Sequence, residues 1–357
     1  MKKENKMLTD TPKPNTFQHP KNKKKINIAM QGGGAHGAFT WGVLDKLFED
    51  GRFEIEGVTG TSAGGMNAVA TVQGLLDGGL EGARKMLTKY WTLTSEKGKT
   101  SIFKPGIVDR MMDKYTMQNS PGFIGFDFMS KLLSPYQWNP MGIDPLKEVI
   151  NAMFDFKKIQ ANKQHKVFLA STHVFTGKIR IFKTEEIRTE TLLATACLPT
   201  IHQAVLVDNE YYWDGGFIAN PAIYPLIYSC ESPDIMIIKL NPTHRNRLPI
   251  TAAEISDRLN EITNNTSILR EMRSINFISQ LIDEGIADPK RIKRLHVHVI
   301  ENDAAFQDLG WSSKLNTEWD FLTHLFEEGR KAAADWIKKN YDLVGTRSTV
   351  DMKDLFI

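Results

Sequence analysis

Cysteine is scarce in this chain: Cys197 and Cys230 are the only two among 357 residues. That excludes a disulfide framework, fits a reducing compartment, and leaves neither thiol in metal-ligand company. Long apolar runs are missing as well. No segment reaches the roughly 18 consecutive apolar residues of a membrane span, and the N-terminus has no apolar stretch of the secretory-signal kind. A soluble cytoplasmic chain is therefore expected, and delivery by a route that reads no N-terminal signal is equally compatible. Histidines are few and unclustered. His296 and His298 share one face of a predicted strand, but no cysteine or acidic residue stands near them at ligand spacing. No metal, no organic cofactor and no nucleic-acid partner is expected, and there is no internal repeat.

What is present suits one sizeable α/β domain. With 41% hydrophobic residues the chain has the means to bury a large core. Strands are predicted at 26–31, 53–58, 167–171, 179–182, 235–240 and 295–300. Helical patterns lie around 63–76, 145–153, 190–196 and 222–228, followed by two long stretches at about 252–285 and 317–339. Strands alternating with helices predict a parallel or mixed sheet between helical layers. The long helices are expected to pack on the sheet or flank the site.

Three glycine-rich segments carry the chemistry. The first follows the buried strand at 26–31: Gly32-Gly33-Gly34-Ala35-His36-Gly37, then a helix with the apolar stripe Phe39, Val43, Leu44, Leu47 and Phe48. Successive glycines at the positive end of a helix dipole let backbone N–H groups converge on an anion. Gly32-x-Gly34-x-x-Gly37 also spells a dinucleotide fingerprint, with Glu54 or Glu56 near the position of a ribose-binding acid. An oxyanion hole for acyl transfer is the other reading.

The second segment is Gly60-Thr61-Ser62-Ala63-Gly64, between a strand and a small-residue helix. A serine on such a turn is held strained with its hydroxyl projecting from the sheet, and flanking glycines let neighbouring backbone approach. A plain helix N-terminus capped by Thr61 or Ser62 has the same spelling. The third segment ends a hairpin-like pair at 204–207 and 211–213. It is Asp214-Gly215-Gly216, which read by itself is a turn.

In that order, the three motifs resemble the patatin-like phospholipases over roughly residues 25–240. The resemblance implies a three-layer α/β/α fold around a mostly parallel sheet, a Ser-Asp dyad without a histidine relay, and no cofactor. Carried over, Ser62 is the nucleophile, Asp214 the base, and Gly32, Gly33 and Gly34 the oxyanion donors. Gly37, Gly60, Gly64, Gly215 and Gly216 complete the motifs. The chain departs from the family at His36, where members often carry Arg or Lys. His36 is expected to face outward and contribute little.

The implied reaction is hydrolysis of a carboxylic ester of a phospholipid or related lipid through an acyl-Ser62 intermediate. An ordinary aspartate, with a pKa of about 3.9, is a weak base. The site must raise that basicity, or its oxyanion hole must lower the charged state. A Rossmann-type oxidoreductase and a non-catalytic lipid-binding protein of the same fold are the alternatives. The first would leave Gly60–Gly64 and Asp214 without a role.

The expected organisation is a basic tail at 1–24, a catalytic domain at 25–300 with an insertion at about 98–140, and a helical C-terminal extension at 301–357. The tail holds seven lysines, with Lys25 directly after it, against Glu4 and Asp10 and cannot fold alone. A peripheral contact with an anionic membrane surface and a plain solvated leader are both compatible with it. The insertion is apolar without a clean period, from Ile102 and Phe103 through Phe123, Phe126, Phe128 and Leu132 to Trp138. A lid or acyl-chain surface and ordinary packing under a long loop are its two readings.

Overall fold

The computed structural model describes residues 23–111 and 115–356. The basic tail, apart from its last two positions, and Met112 of the insertion lie outside the described residues.

Eight strands form one sheet: β1 (Lys24–Met30), β2 (Phe53–Gly60), β3 (Lys166–His173), β4 (Ile179–Lys183), β5 (Val205–Val207), β6 (Glu210–Asp214), β7 (Asp234–Ile238) and β8 (His296–Ile300). Their order is β5-β6-β3-β2-β1-β7-β8, with β4 also paired to β3. From β3 to β8 along that path every pairing is parallel, while β4 and β6 run antiparallel to β3. Central parallel strands are covered on both faces and so read as nearly continuous apolar runs. Ile26, Ile28, Ala29 and Met30 in β1 and Ile235, Met236, Ile237 and Ile238 in β7 are accordingly all buried.

Six helices matter for the site: α1 (Gly37–Asp50), α2 (Ala63–Gly98), α3 (Pro121–Leu132), α4 (Thr189–Thr195), α5 (Ala252–Asp283) and α6 (Trp319–Asn340). On one face of the sheet the expected stripe of α1 packs with α6, where Phe39, Val43, Leu44 and Leu47 join Phe321, Leu322, Leu325 and Trp336. On the other face Ile268, Met272 and Ile275 of α5 cover Ile235, Ile237, Val297 and Val299. The result is the three-layer α/β/α arrangement read from the alternation of elements.

α2 differs from its sequence-based boundary. Its first part matches the expected helix and breaks at Gly78 and Gly79, the latter at φ 63°, but the chain then resumes as a second helical part to Gly98. Two adjacent glycines interrupt the axis because they tolerate a conformation that the flanking residues do not.

One edge of β3 is shared by two strands. Its first half pairs parallel with β2, setting Gly60 opposite Leu169, and its second half pairs antiparallel with β6, setting Asp214 opposite Ser171. The overlapping β4 pairing, Phe168 to Thr172, fills the other edge. The ends of β2 and β6 therefore meet head-on, two positions apart along β3.

Candidate active site

That meeting brings the second and third motifs together. Ser62 follows β2 at φ 56° and ψ −127°, a conformation costing a non-glycine residue about 1–3 kcal/mol. Several contacts hold it there. The Ser62 amide donates to the Thr195 carbonyl at 3.1 Å and to the Thr195 hydroxyl at 3.2 Å, at the end of α4. A Cβ on Gly64 would stand 2.3 Å from the Met30 carbonyl oxygen, so only glycine lets the turn close onto β1. Neither Ser62 nor Thr61 caps α2: the Ser62 side chain makes no cap bond, and the Thr61 hydroxyl donates to the Ala219 carbonyl at 2.7 Å. The plain-cap reading of the motif therefore does not fit.

Asp214 ends β6 and is buried. Its Oδ1 accepts the Gly216 amide at 2.7 Å. Burial pushes its carboxyl up to about 6, against the lowering effects of the Gly216 amide, the Ser62 hydroxyl bonded to it and the Lys314 charge. Of the two ways the sequence left open for a weak carboxylate base to work, the fold supplies the first, by desolvation. Gly215 packs against the Ala170 carbonyl behind this turn.

The glycine loop is the third wall. Gly32, Gly33, Gly34, Ser62, Asp214 and Lys314 line a common pocket of about 110 Å3. The expected oxyanion role divides differently among the glycines. The Gly32 amide donates to Asn220 Oδ1 at 2.6 Å and is already spent, which corrects its assignment as a donor. The Gly33 and Gly34 amides have no acceptor among the described residues. Gly34 sits at φ 57°, and a Cβ there would meet the Lys314 carbonyl oxygen at 2.2 Å. Gly37 opens α1.

Beneath the loop lies a polar web that no local motif announced. The Asn220 amide donates to the Ser267 hydroxyl, and its side chain donates to Asn264 Oδ1. Gln31 accepts from the Leu240 and Asn241 amides and donates to Asn265 Oδ1. These partners come from the segments after β1, β6 and β7, and from α5. Their proximity exists only in the fold.

His36 does not face outward. It is buried, its ring lies against Phe306, and Nε2 shares a 2.7 Å hydrogen bond with the Ser313 hydroxyl. Because that hydroxyl donates to the Gly310 carbonyl, the imidazole is the donor in the pair. Burial and the nearby Lys314 and Arg245 charges hold its pKa well below the usual value, so the ring is a neutral strut under the loop.

Among the described residues no histidine lines the pocket. His298 bonds Asp234 at 2.9 Å across to β7, and His296 lies 3.3 Å from the same carboxylate. The acidic partner that sequence spacing failed to supply thus comes from the neighbouring strand. No group of three metal-ligating side chains forms among the described residues.

The dinucleotide reading loses its acid. The Glu56 carboxylate accepts the Glu231 and Ser232 amides at 2.7 and 2.9 Å, and it sits midway along β2, away from the strand end where the glycine loop lies. Glu54 is farther still from that end.

The pocket lies at the strand ends of a doubly covered α/β sheet. Residues 28–227 match the family model described as patatin-like phospholipase. That is more than half of the chain, and the protein belongs to this family of lipid hydrolases. Among solved structures, VipD from Legionella pneumophila is similar at 13% identity and a TM-score of 0.35, with 87% of this chain and 67% of that chain covered. The ExoU–SpcU complex from the type III secretion system of Pseudomonas aeruginosa is similar at 12% identity and a TM-score of 0.38, with 90% and 52% covered. This chain thus spans about half the length of the ExoU chain. No curated protein matches it.

Proposed function

We propose that the protein hydrolyses a carboxylic ester of a phospholipid or related lipid through a Ser62–Asp214 dyad. The observation that carries this reading is the buried Asp214 carboxyl, raised to about 6, lining one pocket with a serine held at positive φ whose hydroxyl acts on its titration.

Gly216 occupies Oδ1 of Asp214, leaving Oδ2 to take the serine proton as Oγ attacks the ester carbonyl carbon. Negative charge then develops on the carbonyl oxygen, where the free Gly33 and Gly34 amides are its donors. Collapse breaks the ester bond, and Asp214 returns the proton to the leaving alkoxide, giving the alcohol and acyl-Ser62. A water then attacks the acyl carbon while Asp214 accepts its proton. The tetrahedral species expels Ser62, which regains the proton, and a fatty acid leaves.

Room for an acyl chain adjoins the pocket. A groove of about 580 Å3 shares Leu198, Phe217, Asn260 and Trp311 with it and continues between α3 and the start of α5. Phe128 and Leu132 on α3 and Leu248, Ile250 and Leu259 near the start of α5 are exposed. Apolar side chains on both flanks suit loading from a lipid surface. They favour the lid or acyl-chain reading of the insertion.

The test is labelling of the full chain with a fluorophosphonate, the modified peptide being identified by mass spectrometry. Phosphonylation at Ser62, lost in Ser62→Ala, is expected. A folded wild-type chain that stays unlabelled and turns over no ester would instead be a lipid-binding protein of this fold.

A further inference from the structure

Lys314 lies in the short turn Trp311–Leu315, outside the segment that matches the family. It lines the pocket with Ser62, Asp214 and the three glycines, and its main chain packs directly against Gly34. Nζ donates to Asn241 Oδ1 at 3.0 Å and Asn260 Oδ1 at 2.8 Å. Both acceptors are neutral amides, so the ammonium is oriented without being neutralised by contact.

The carboxylates around it are already engaged. Glu261 pairs with Arg245 and Arg258. Asp257 accepts the Trp311 amide and the Gln118 side chain. Asp214 is bound to Gly216 and Ser62. His36, the remaining titratable neighbour, is neutral. A buried charge without a contacting counter-ion is costly, and it persists here only because the surrounding web fixes it. Such a charge is of use where negative charge appears transiently.

We propose that Lys314 is a positioning residue for the ester hydrolysis: its main chain backs the Gly34 corner, and its clamped ammonium biases the pocket electrostatically toward the oxyanion formed there. This inference rests on the dyad reading of the same site. It assigns the C-terminal third of the chain a part in the chemistry, through one residue that no motif marks.

Two titrations follow. Burial pushes Lys314 down to about 8, against the raising influence of Glu261, Asp257 and Asp214, so the positive charge is present below that pH and lost above it. Its charge in turn lowers Asp214. Removing the ammonium should therefore move the acid limb of the pH–rate profile upward and abolish the alkaline limb.

The experiment compares kcat, KM and pH–rate profiles of the wild type, Lys314→Gln and Lys314→Arg on one soluble ester. Lys314→Gln keeps hydrogen bonding without charge. It should lower kcat on the order of 10- to 10²-fold, with KM within about threefold, raise the acid limb and lose the alkaline limb. Lys314→Arg should recover part of kcat and push the alkaline limb beyond pH 9. A folded Lys314→Gln with wild-type kcat and both limbs in place overturns the proposal. Should Lys314→Gln not fold, the wild-type profile decides, an alkaline limb near pH 8 supporting it and a plateau to pH 10 overturning it. Wild-type protein that neither turns over ester nor labels at Ser62 would defeat the dyad reading itself, a distinct result.

Discussion

The Thr61 hydroxyl donates to the Ala219 carbonyl oxygen at 2.7 Å, tying the residue before the expected nucleophile to the turn that follows Asp214. Two segments, joined by residues 158 positions apart, are thus fastened by one side chain. Thr61→Val keeps the shape, removes the donor and leaves a buried carbonyl unpaired. A loss of about 1–3 kcal/mol in denaturant unfolding is expected, together with a kcat that falls more than KM rises. Unchanged stability and kcat would show that the β3 pairings alone align the site.

Asp214 carries a stability cost with a definite sign. Its folded pKa of about 6 lies above the ordinary carboxylate value, so the folded state holds the proton more tightly and ionisation opposes folding. The penalty is absent below about pH 4, grows between about 4 and 6, and is complete above. Asp214→Asn should therefore raise the melting temperature relative to wild type at pH 8 and have little such effect at pH 4. The same titration predicts that wild-type kcat/KM rises with pH through about 6. Equal melting differences at both pH values, or a rate limb near 4, would contradict a desolvated base.

The glycines of the loop are not equivalent. Gly34 needs its left-handed φ and has no space for a Cβ, whereas a Cβ on Gly33 would meet only the Leu240 and His36 side chains at 3.3 Å and beyond. Gly34→Ala should cost kcat on the order of 10²-fold, the scale of one lost oxyanion donor. Gly33→Ala, which keeps its amide and extended backbone, should cost far less. Steady-state kinetics on the two purified variants separates them, and equal losses would mean that both corners are sterically closed.

Much of this was legible in the sequence because the motifs are local. A glycine run after a strand, a serine between strand and helix and an Asp-Gly-Gly at a hairpin end each sit where backbone geometry requires them. Alternating apolar runs likewise located the strands. What connects the motifs was not legible. Asn220, Asn241, Asn260 and Lys314 lie in unremarkable surroundings along the chain and meet only when β6, β7, α5 and the turn before α6 converge. His36 was misjudged for the same reason: facing outward was inferred from the first helical turn, while the burying partners, Phe306 and Ser313, come from some 270 residues further on.

The exposed side chains of α3 bear on how substrate arrives. Phe128→Ser with Leu132→Ser should reduce turnover of vesicle phospholipid several-fold while leaving a soluble short-chain ester nearly unaffected, since these side chains are exposed on the helix that borders the groove and do not line the Ser62 pocket. Equal loss on both substrates would place α3 in the structure of the active site instead. Removal of residues 1–22 in parallel tests the basic tail: vesicle binding that weakens more at low than at high salt is expected of a lipid-attracting segment.

The dyad is tested most directly by kcat on one ester for Ser62→Ala, Asp214→Asn and the double variant, alongside alanine at His173, His202, His244, His296, His298 and His324. A proton-transfer pair acting as a unit predicts that each single replacement costs about as much as both together, because little remains for the second to remove. It also predicts substantial turnover in every folded histidine variant. Multiplicative losses in the double variant, or one histidine variant as inactive as Ser62→Ala, would contradict the dyad and require a Ser-His-Asp relay.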